Sequence, residues 1–372
     1  MRRCLIPILA AYFGSRLLCS TFVYLGHSNR PYLKDVPGGW VGVQNWWLNP
    51  WTTYDTYWYF DIATIGYTPQ STPFFPLYPF LLRLFDGNEL SMALAGVIIS
   101  HLALLAALVI VYRVTAEEHG AQIAQATVWI LCFSPAAPFF GAVYTESLFM
   151  LLLAGTFLAA RKEAWLSCAV LAFLTALIRN PGVLVAIALY LDIRGKNTQN
   201  NFWLYLVPAA PLLAFAGVQL GFWCKFGSPL SGVMSQDGFS RALEWPWVTI
   251  YRDLEGLFEG GHEFNYYLIT ATALAVTAIA LATLSRRSFP LQPGYIVLIL
   301  GITLMNLIYA REITPRTISE VRYMGALYPF SQALALLFLK LDAKRFFGLL
   351  TAGAYVFIFL MFSYYYGWKV IF

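Results

Sequence analysis

Two carboxylates lie in an unusual setting between Trp51 and Pro79, in the stretch WTTYDTYWYFDIATIGYTPQSTPFFPLYP. Asp55 is ringed by Tyr54, Tyr57, Trp58 and Tyr59, and Asp61 follows on the same segment. Connections between membrane helices are usually short and polar, so this concentration of large aromatics beside acids reads as a site at a membrane surface. A lone carboxylate there suits a general base acting on a hydroxyl, because partial desolvation raises its pKa above the usual ~4. Helix positions six apart point about 240° apart, so Asp55 and Asp61 do not make the close pair of a retaining glycosidase. They also lack the Asp-x-Asp spacing of a metal clamp, no HExxH occurs, and His27, His101, His119 and His262 are scattered. Metal dependence is disfavoured. On the residues alone an alternative stays open, in which Asp55 caps a helix and the aromatics form an interface belt.

Further groups lie at the expected ends of other apolar runs. TPFFPLYP, with Phe75 and Tyr78, has fixed dihedrals and bulky side chains. It makes either a stiff wall for a lipid chain or sugar, or a simple break before the next helix. Glu146 opens a helix where the macrodipole favours an acid, and a cap is its default role. Arg179, in Arg179-Asn180-Pro181-Gly182, lies close to hydrocarbon and should be paired or functional. A phosphate suits it, since a guanidinium can give it two parallel hydrogen bonds. Arg322 and Tyr323 enter another helix under the same logic, and Arg16 is a third such arginine, for which pairing with a neighbouring helix is the default. Lys225 to Leu230, followed by Gln236 and Arg241, offers polar groups that either read sugar hydroxyls or satisfy loop backbone.

These residues need a frame, and composition names it. The 372 residues are 59% hydrophobic and 12% charged, with a mean hydropathy of +0.63, too little polar surface for a soluble globule of this size. Continuous rather than alternating apolar runs imply helices instead of a barrel. The fold class is an all-α polytopic membrane protein, one integral membrane domain over 1–372, with about eleven spans near 4–26, 92–112, 123–140, 148–160, 164–178, 183–193, 203–223, 267–284, 294–310, 323–339 and 346–366. Arg2, Arg3, Arg113, Arg161, Lys162, Arg194, Lys196, Arg286, Arg287, Lys340, Lys344 and Arg345 then share one side, the cytoplasm. The long loops, 27–91 and 224–266, fall outside, so the chemistry is expected on the extracytoplasmic face. The first segment reads as a retained helix, since Arg16 and bulky residues near its end do not suit a cleaved signal. The five cysteines lack the paired loop spacing of disulfides or zinc sites. A net charge of +5 is the positive-inside bias and gives no reason to expect a nucleic-acid partner.

The chain resembles the PIG-V-like mannosyltransferases, relatives of the second mannosyltransferase of glycosylphosphatidylinositol assembly, within the multi-spanning GT-C glycosyltransferases. The resemblance rests on Ser15-Arg16, Asp55 with Trp58-Tyr59, Ile62-Ala63 and Gly66-Tyr67, Phe74 to Pro79, Ser134-Pro135 with Tyr144 to Phe149, Arg179 to Gly182, Phe226 to Leu230 with Gln236, and Arg322-Tyr323, in the family's order. The chain departs in having Tyr54 where the family usually has Trp before the loop Asp, and it is compact in the manner of a bacterial or archaeal relative. The resemblance implies a GT-C bundle, a polyprenyl-phosphate sugar donor, most often mannose, and inversion by single displacement onto a membrane lipid or lipid-linked acceptor. It implies Asp55 as the catalytic residue. Substrate binding falls to Trp58, Tyr59, Asp61, Phe75, Tyr78, Glu146, Arg179, Gln236, Arg322 and Tyr323, with no metal and no cofactor. The bilayer is the chain's medium, the plasma membrane in a prokaryote or the endoplasmic reticulum in a eukaryote, and a further membrane subunit is compatible with the reading. A transporter or lipid flippase is the competing class; it would show acids and bases near the midplane and similarity between two halves, and no such similarity is present.

Overall fold

The computed structural model describes residues 2–28, 43–85, 88–194, 204, 206–228, 231–235, 239, 241–259, 264–285, 289–312 and 316–338. Over these the chain is helical apart from one small sheet. The helices are α1 Arg2–Ser28, α2 Asp55–Thr64, α3 Leu77–Arg83, α4 Glu89–His119, α5 Ala121–Cys132, α6 Glu146–Arg161, α7 Trp165–Ile178 and α8 Val185–Arg194. They continue as α9 Ala209–Phe226, α10 Ser231–Met234, α11 Pro246–Phe258, α12 Phe264–Ala282, α13 Pro293–Ile308, α14 Ile318–Ala326 and α15 Tyr328–Phe338. Strands β1 Arg241–Leu243 and β2 Tyr309–Arg311 pair antiparallel, with Arg241 opposite Arg311.

The protein is an integral membrane protein by its helices: α4, α9 and the 5–25 part of α1 are long and apolar enough to cross a bilayer, and five shorter apolar helices accompany them among the described residues. The expectation of about eleven spans is met only in this coarser form, and 346–366 lies outside the described residues. Several expected boundaries move for local reasons. The run 123–140 is helical only to Cys132, because Pro135 and Pro138 remove backbone donors; a 3-10 turn, Ala137–Phe140, follows. The run 323–339 is two helices broken at Leu327, which has extended backbone ahead of Tyr328-Pro329. The first long loop is partly helical, since α2, α3 and the start of α4 lie within 27–91.

α4 is the axis of the core. Asn88 caps it, its side chain accepting from the Leu90 amide at 2.9 Å, and Gly120 ends it at φ 86°. Alanines and Gly96 on its buried side let α6 and the turn before it approach closely; a Cβ on Gly96 would fall 2.5 Å from Val143. α4 and α6 run the same way, for Arg161 at the end of α6 pairs with Glu118 at the end of α4. At that end Gln332 donates to Glu118 at 2.6 Å, and the Tyr328 hydroxyl donates to that of Tyr295 at 2.7 Å. Such polar pairs join helices where lipid provides no hydrophobic drive between them. The other end of α4 and α6 carries the functional groups.

Candidate active site

α2 starts abruptly. Tyr54 has φ 56° and ψ −111°, a conformation rare outside glycine, and it turns the chain so that Asp55 is the first helical residue. Tyr54 therefore holds the N-cap position, without a side-chain capping bond, in place of the Asp55 that was one alternative, and the Asp55 carboxylate meets Arg322 Nη2 at 2.6 Å. Its side chain keeps 22% of its exposure, enough for a substrate to reach it.

The turn from 133 to 145 is sewn to this segment. The Val143 amide donates to the Trp51 carbonyl at 2.9 Å, the Thr56 hydroxyl donates to the Val143 carbonyl at 3.1 Å, and the Tyr144 hydroxyl donates to the Thr53 carbonyl at 3.0 Å. Ser100 of α4 holds the turn from beneath, donating to the Ala142 carbonyl at 2.6 Å, and Ser147 closes it onto Phe140 at 2.8 Å. These bonds place Glu146, fully buried, at the head of α6.

Glu146 gathers the arginines. Its Oε1 accepts from Arg179 Nη1 at 2.9 Å and from Arg322 Nε, so Arg322 joins the two carboxylates through neighbouring edges of one guanidinium. Oε2 of Glu146 is buried with no hydrogen-bond partner among the described residues. Aromatic faces complete both cations: the Arg322 Cζ lies 4.6 Å from the Tyr144 ring centroid and 5.1 Å from that of Phe139, and the Arg179 Cζ lies 4.5 Å from that of Tyr323. Burial pushes the Glu146 carboxyl up, but Arg179 and Arg322 outweigh it and hold the group below the usual carboxylate range. Burial likewise works against the charge on Arg322, and Asp55 and Glu146 more than restore it. Burial, with Asp55 and Glu146 adding to it, keeps the Tyr59 phenol firmly protonated. Two acids and two arginines thus form one neutral cluster.

Local sequence explains why Arg179 and Arg322 reach it. α7 stops at Ile178 because Pro181 cannot continue a helix, leaving Arg179 extended at φ −152° and ψ 144°. Gly182 then lies against α7, where a Cβ would meet the Thr175 carbonyl oxygen at 2.1 Å. Arg322 rides on α14, whose Gly325 abuts Ala136 so closely that a Cβ would fall 2.1 Å from the alanine methyl. Beneath the first segment, Arg16 is buried with neither Nη partnered among the described residues, and Nη1 lies 3.2 Å from where a Cβ on Gly141 would stand.

The other expected residues divide. Trp58 stacks on Phe74 at 5.7 Å and 15°, and Phe239 closes on both at 5.5 and 5.9 Å. Tyr59 and Tyr78 meet edge to face at 5.0 Å, with the Tyr78 hydroxyl donating to the Gly96 carbonyl at 3.4 Å, so this pair fastens α2 to α3 and α4. Phe75 stacks on Phe215 at 6.2 Å and packs with Val218 and Phe222 of α9, apart from the charged cluster. Asp61 sits a turn and a half beyond Asp55; burial raises its carboxyl, and no arginine meets it among the described residues. Gln236 lies outside the described residues. Phe139 and Phe239 were not legible as site residues, because a phenylalanine in an apolar run carries no local mark.

Comparison with known proteins bears on this geometry. Residues 26–195 match the family described as mannosyltransferase (PIG-V). Over this stretch, just under half of the chain, the sequence is similar to the PIG-V mannosyltransferases. The match bears out, over these residues, the resemblance seen in the motifs. The matched stretch contains Asp55, Glu146 and Arg179, while Arg322 and Tyr323 come from beyond it. Among curated proteins none matches the sequence. In fold, the chain is similar to the Archaeoglobus fulgidus oligosaccharyltransferase tethered with an acceptor peptide, at 15% identity and a TM-score of 0.51, covering 96% of this chain and 55% of that one. It also matches that enzyme in complex with an inhibitory peptide and a dolichol-phosphate, at 15% identity and 0.48, covering 96% and 56%. The chain spans about half the length of these structures. At such identity the first likeness bears on fold alone, an all-helical membrane fold.

Proposed function

We propose that the protein transfers a sugar, mannose foremost, from a polyprenyl-phosphate donor to a hydroxyl of a membrane lipid or lipid-linked acceptor, with inversion at the anomeric carbon. The acceptor oxygen attacks C1 and its proton passes to Asp55. The bond from C1 to the phosphate oxygen breaks, and its electron pair leaves with the polyprenyl phosphate. Asp55 is the base, near enough to the surface to meet a hydroxyl. Arg322 and Arg179 receive the charge that develops on the departing phosphate, and Glu146 positions both.

The sharing of Arg322 between Asp55 and Glu146 supports this reading above all. When Asp55 takes the proton, its hold on Arg322 weakens, and the guanidinium is released toward the phosphate as the phosphate gains charge. Base and leaving-group stabiliser are thus coupled through one side chain. The stacked Trp58 and Phe74 give a platform for a sugar face. The arginine and lysine distribution supports a reaction on the extracytoplasmic side, of the plasma membrane in a prokaryote or of the endoplasmic reticulum in a eukaryote.

Transfer of radiolabelled mannose from polyprenyl-phosphate mannose into lipid or protein, compared between wild-type membranes and Asp55→Asn membranes, tests the proposal. Label incorporated by the wild type and lost in the folded variant is the expected result. Turnover near normal in Asp55→Asn removes the base assignment, and no transfer by the folded wild type with several acceptors removes the mannose donor.

A further inference from the structure

Helix α11 is built inside out. Thr249, Asp253 and Gly256 are buried, while Trp247, Tyr251, Leu254 and Phe258 are exposed, Phe258 to 88%. At about 100° per residue the four large apolar side chains fall within an arc of about 60°, on the side opposite the buried three. Arg252 and Glu255 occupy one flank between the two sides. A helix in water turns its apolar arc inward, so one turned outward marks a contact surface.

Polar bonds fix the inward side. Thr249 donates to the carbonyl of Leu307, in the last turn of α13, at 2.8 Å. Asp253 accepts from the Arg316 amide at 2.7 Å, from the Thr317 amide at 3.1 Å and from the Thr317 hydroxyl. Thr317 is the N-cap of α14 and makes no capping bond of its own, so a carboxylate of α11 holds the start of the helix that carries Arg322. Rolling α11 to bury its aromatic arc would break these bonds, and Asp253 would be left buried without its donors.

The surroundings identify what covers the outward side. Glu259, at the end of α11, accepts from the Tyr267 hydroxyl at 2.6 Å near the start of α12, and 267–282 of α12 is one of the apolar helices of the bundle. The arc therefore stands where a membrane helix begins. Trp245 stacks on Trp247 at 4.8 Å and 16°, and both are exposed. Trp and Tyr are the side chains that favour the level of the headgroups, and a charged flank beside an apolar arc suits a helix lying in that plane.

We infer that α11 is an interfacial helix, with Trp247, Tyr251, Leu254 and Phe258 sunk into the headgroup boundary of the leaflet on the active-site side, and that Asp253 passes this anchorage to α14. The partner is bilayer lipid itself. Asp253 is then a positioning residue: the leaflet holds α11, α11 holds the start of α14, and α14 holds Arg322 between Asp55 and Glu146. The lipid contact stands without the transferase reading; only its effect on transfer rests on that reading.

Spin labels on the full-length protein in liposomes test the contact. They are placed at Leu254→Cys, Phe258→Cys and, on the charged flank, Glu255→Cys, each with Cys224→Ser to remove the exposed cysteine of the described residues. Oxygen, which concentrates in lipid, should relax the labels at the first two positions more than a water-soluble nickel chelate does, and the chelate should prevail at the third. Chelate prevailing at all three overturns the inference, and so does dipolar broadening between labels on separate copies, which would make the face an interface between chains. Tyr251→Gln with Phe258→Gln should lower mannose transfer about tenfold in protein that unfolds cooperatively, because small displacements of a charge-stabilising group are costly. Tyr251→Phe with Phe258→Trp should keep the wild-type rate. Unchanged transfer in the glutamine pair overturns the link to Arg322. An inactive wild type would count against the proposed reaction, while the labels still decide the lipid contact.

Discussion

Replacing Arg322 by lysine keeps the positive charge and removes the geometry. The guanidinium reaches Asp55 through Nη2 at 2.6 Å and Glu146 through Nε, two donors on different atoms of one plane. A lysine ammonium stands about where the arginine Cζ was, one C–N bond of ~1.3 Å short of Nη2. The gap to Asp55 then opens to about 4 Å, beyond hydrogen-bond range, and the single nitrogen turns toward the buried Glu146. At least one charge-assisted hydrogen bond, worth about 1.5–3 kcal/mol, is lost. Because Asp55 loses its anchor and the phosphate its planar fork, the loss should fall on the rate of transfer by about 10- to 100-fold. Arg322→Lys and Arg322→Gln, assayed for mannose transfer beside the wild type and checked for folding by thermal unfolding in detergent, decide the matter. Activity of the lysine variant within threefold of the wild type refutes a bidentate role and leaves only a point charge.

Three further outcomes follow from the same geometry. Arg179→Gln loses the 2.9 Å bond to Glu146 and should raise the apparent KM for the lipid donor about tenfold, while Glu146 stays held by Arg322; an unchanged KM removes Arg179 from donor binding. Gly325→Ala puts a methyl 2.1 Å from that of Ala136, so α14 must shift; transfer should fall at least tenfold in protein that still unfolds cooperatively, and normal activity would mean that the seating of α14 does not set Arg322. Glu320 is buried against Thr303 and Asn306 of α13, each donating to it at 2.7 Å, and burial lifts its carboxyl to about 7. A carboxyl raised in the folded state stabilises it most below the ordinary value near 4.5 and loses that contribution as pH rises to about 7, by at most about 3 kcal/mol. The unfolding temperature should therefore fall from pH 5 to 7 in the wild type and much less in Glu320→Gln, and parallel curves would discard the linkage.

The sequence made the site's members visible more readily than their partnerships. Asp55 among aromatics, Glu146 at a helix start, and Arg179 and Arg322 at the edges of apolar runs all stand out, because charge near hydrocarbon is costly. That Glu146 holds both arginines could not be read, since α6, α7 and α14 meet only through packing over long separations. Phe75 and Tyr78 share a proline-rich motif, yet one packs on α9 and the other on α4, a choice fixed by tertiary contacts. Three-residue strands such as β1 and β2 carry no usable periodicity, so the Arg241 and Arg311 pair was invisible. The bundle as a class was legible from continuous apolar runs. Its helix boundaries were less so, because breaks at Pro135 and Leu327 lie inside runs that remain apolar.

The place where the turn before α6 crosses α4 has a consequence for what the enzyme asks of its membrane. α4 has 31 residues, a rod of about 46 Å, and the turn lies against Gly96 and Ser100, roughly 10–17 Å in from the Glu89 end. With the rod centred on a hydrocarbon core about 30 Å thick, which begins about 8 Å in from each end, the turn lies just inside the hydrocarbon. A phosphate tethered to a polyprenyl chain would meet the arginines with its tail still dissolved in lipid, whereas a water-soluble partner would have to descend to them. Bilayer thickness itself then becomes a reaction variable: lipids with longer acyl chains would draw the headgroup plane away from Asp55, and shorter ones would bring it nearer.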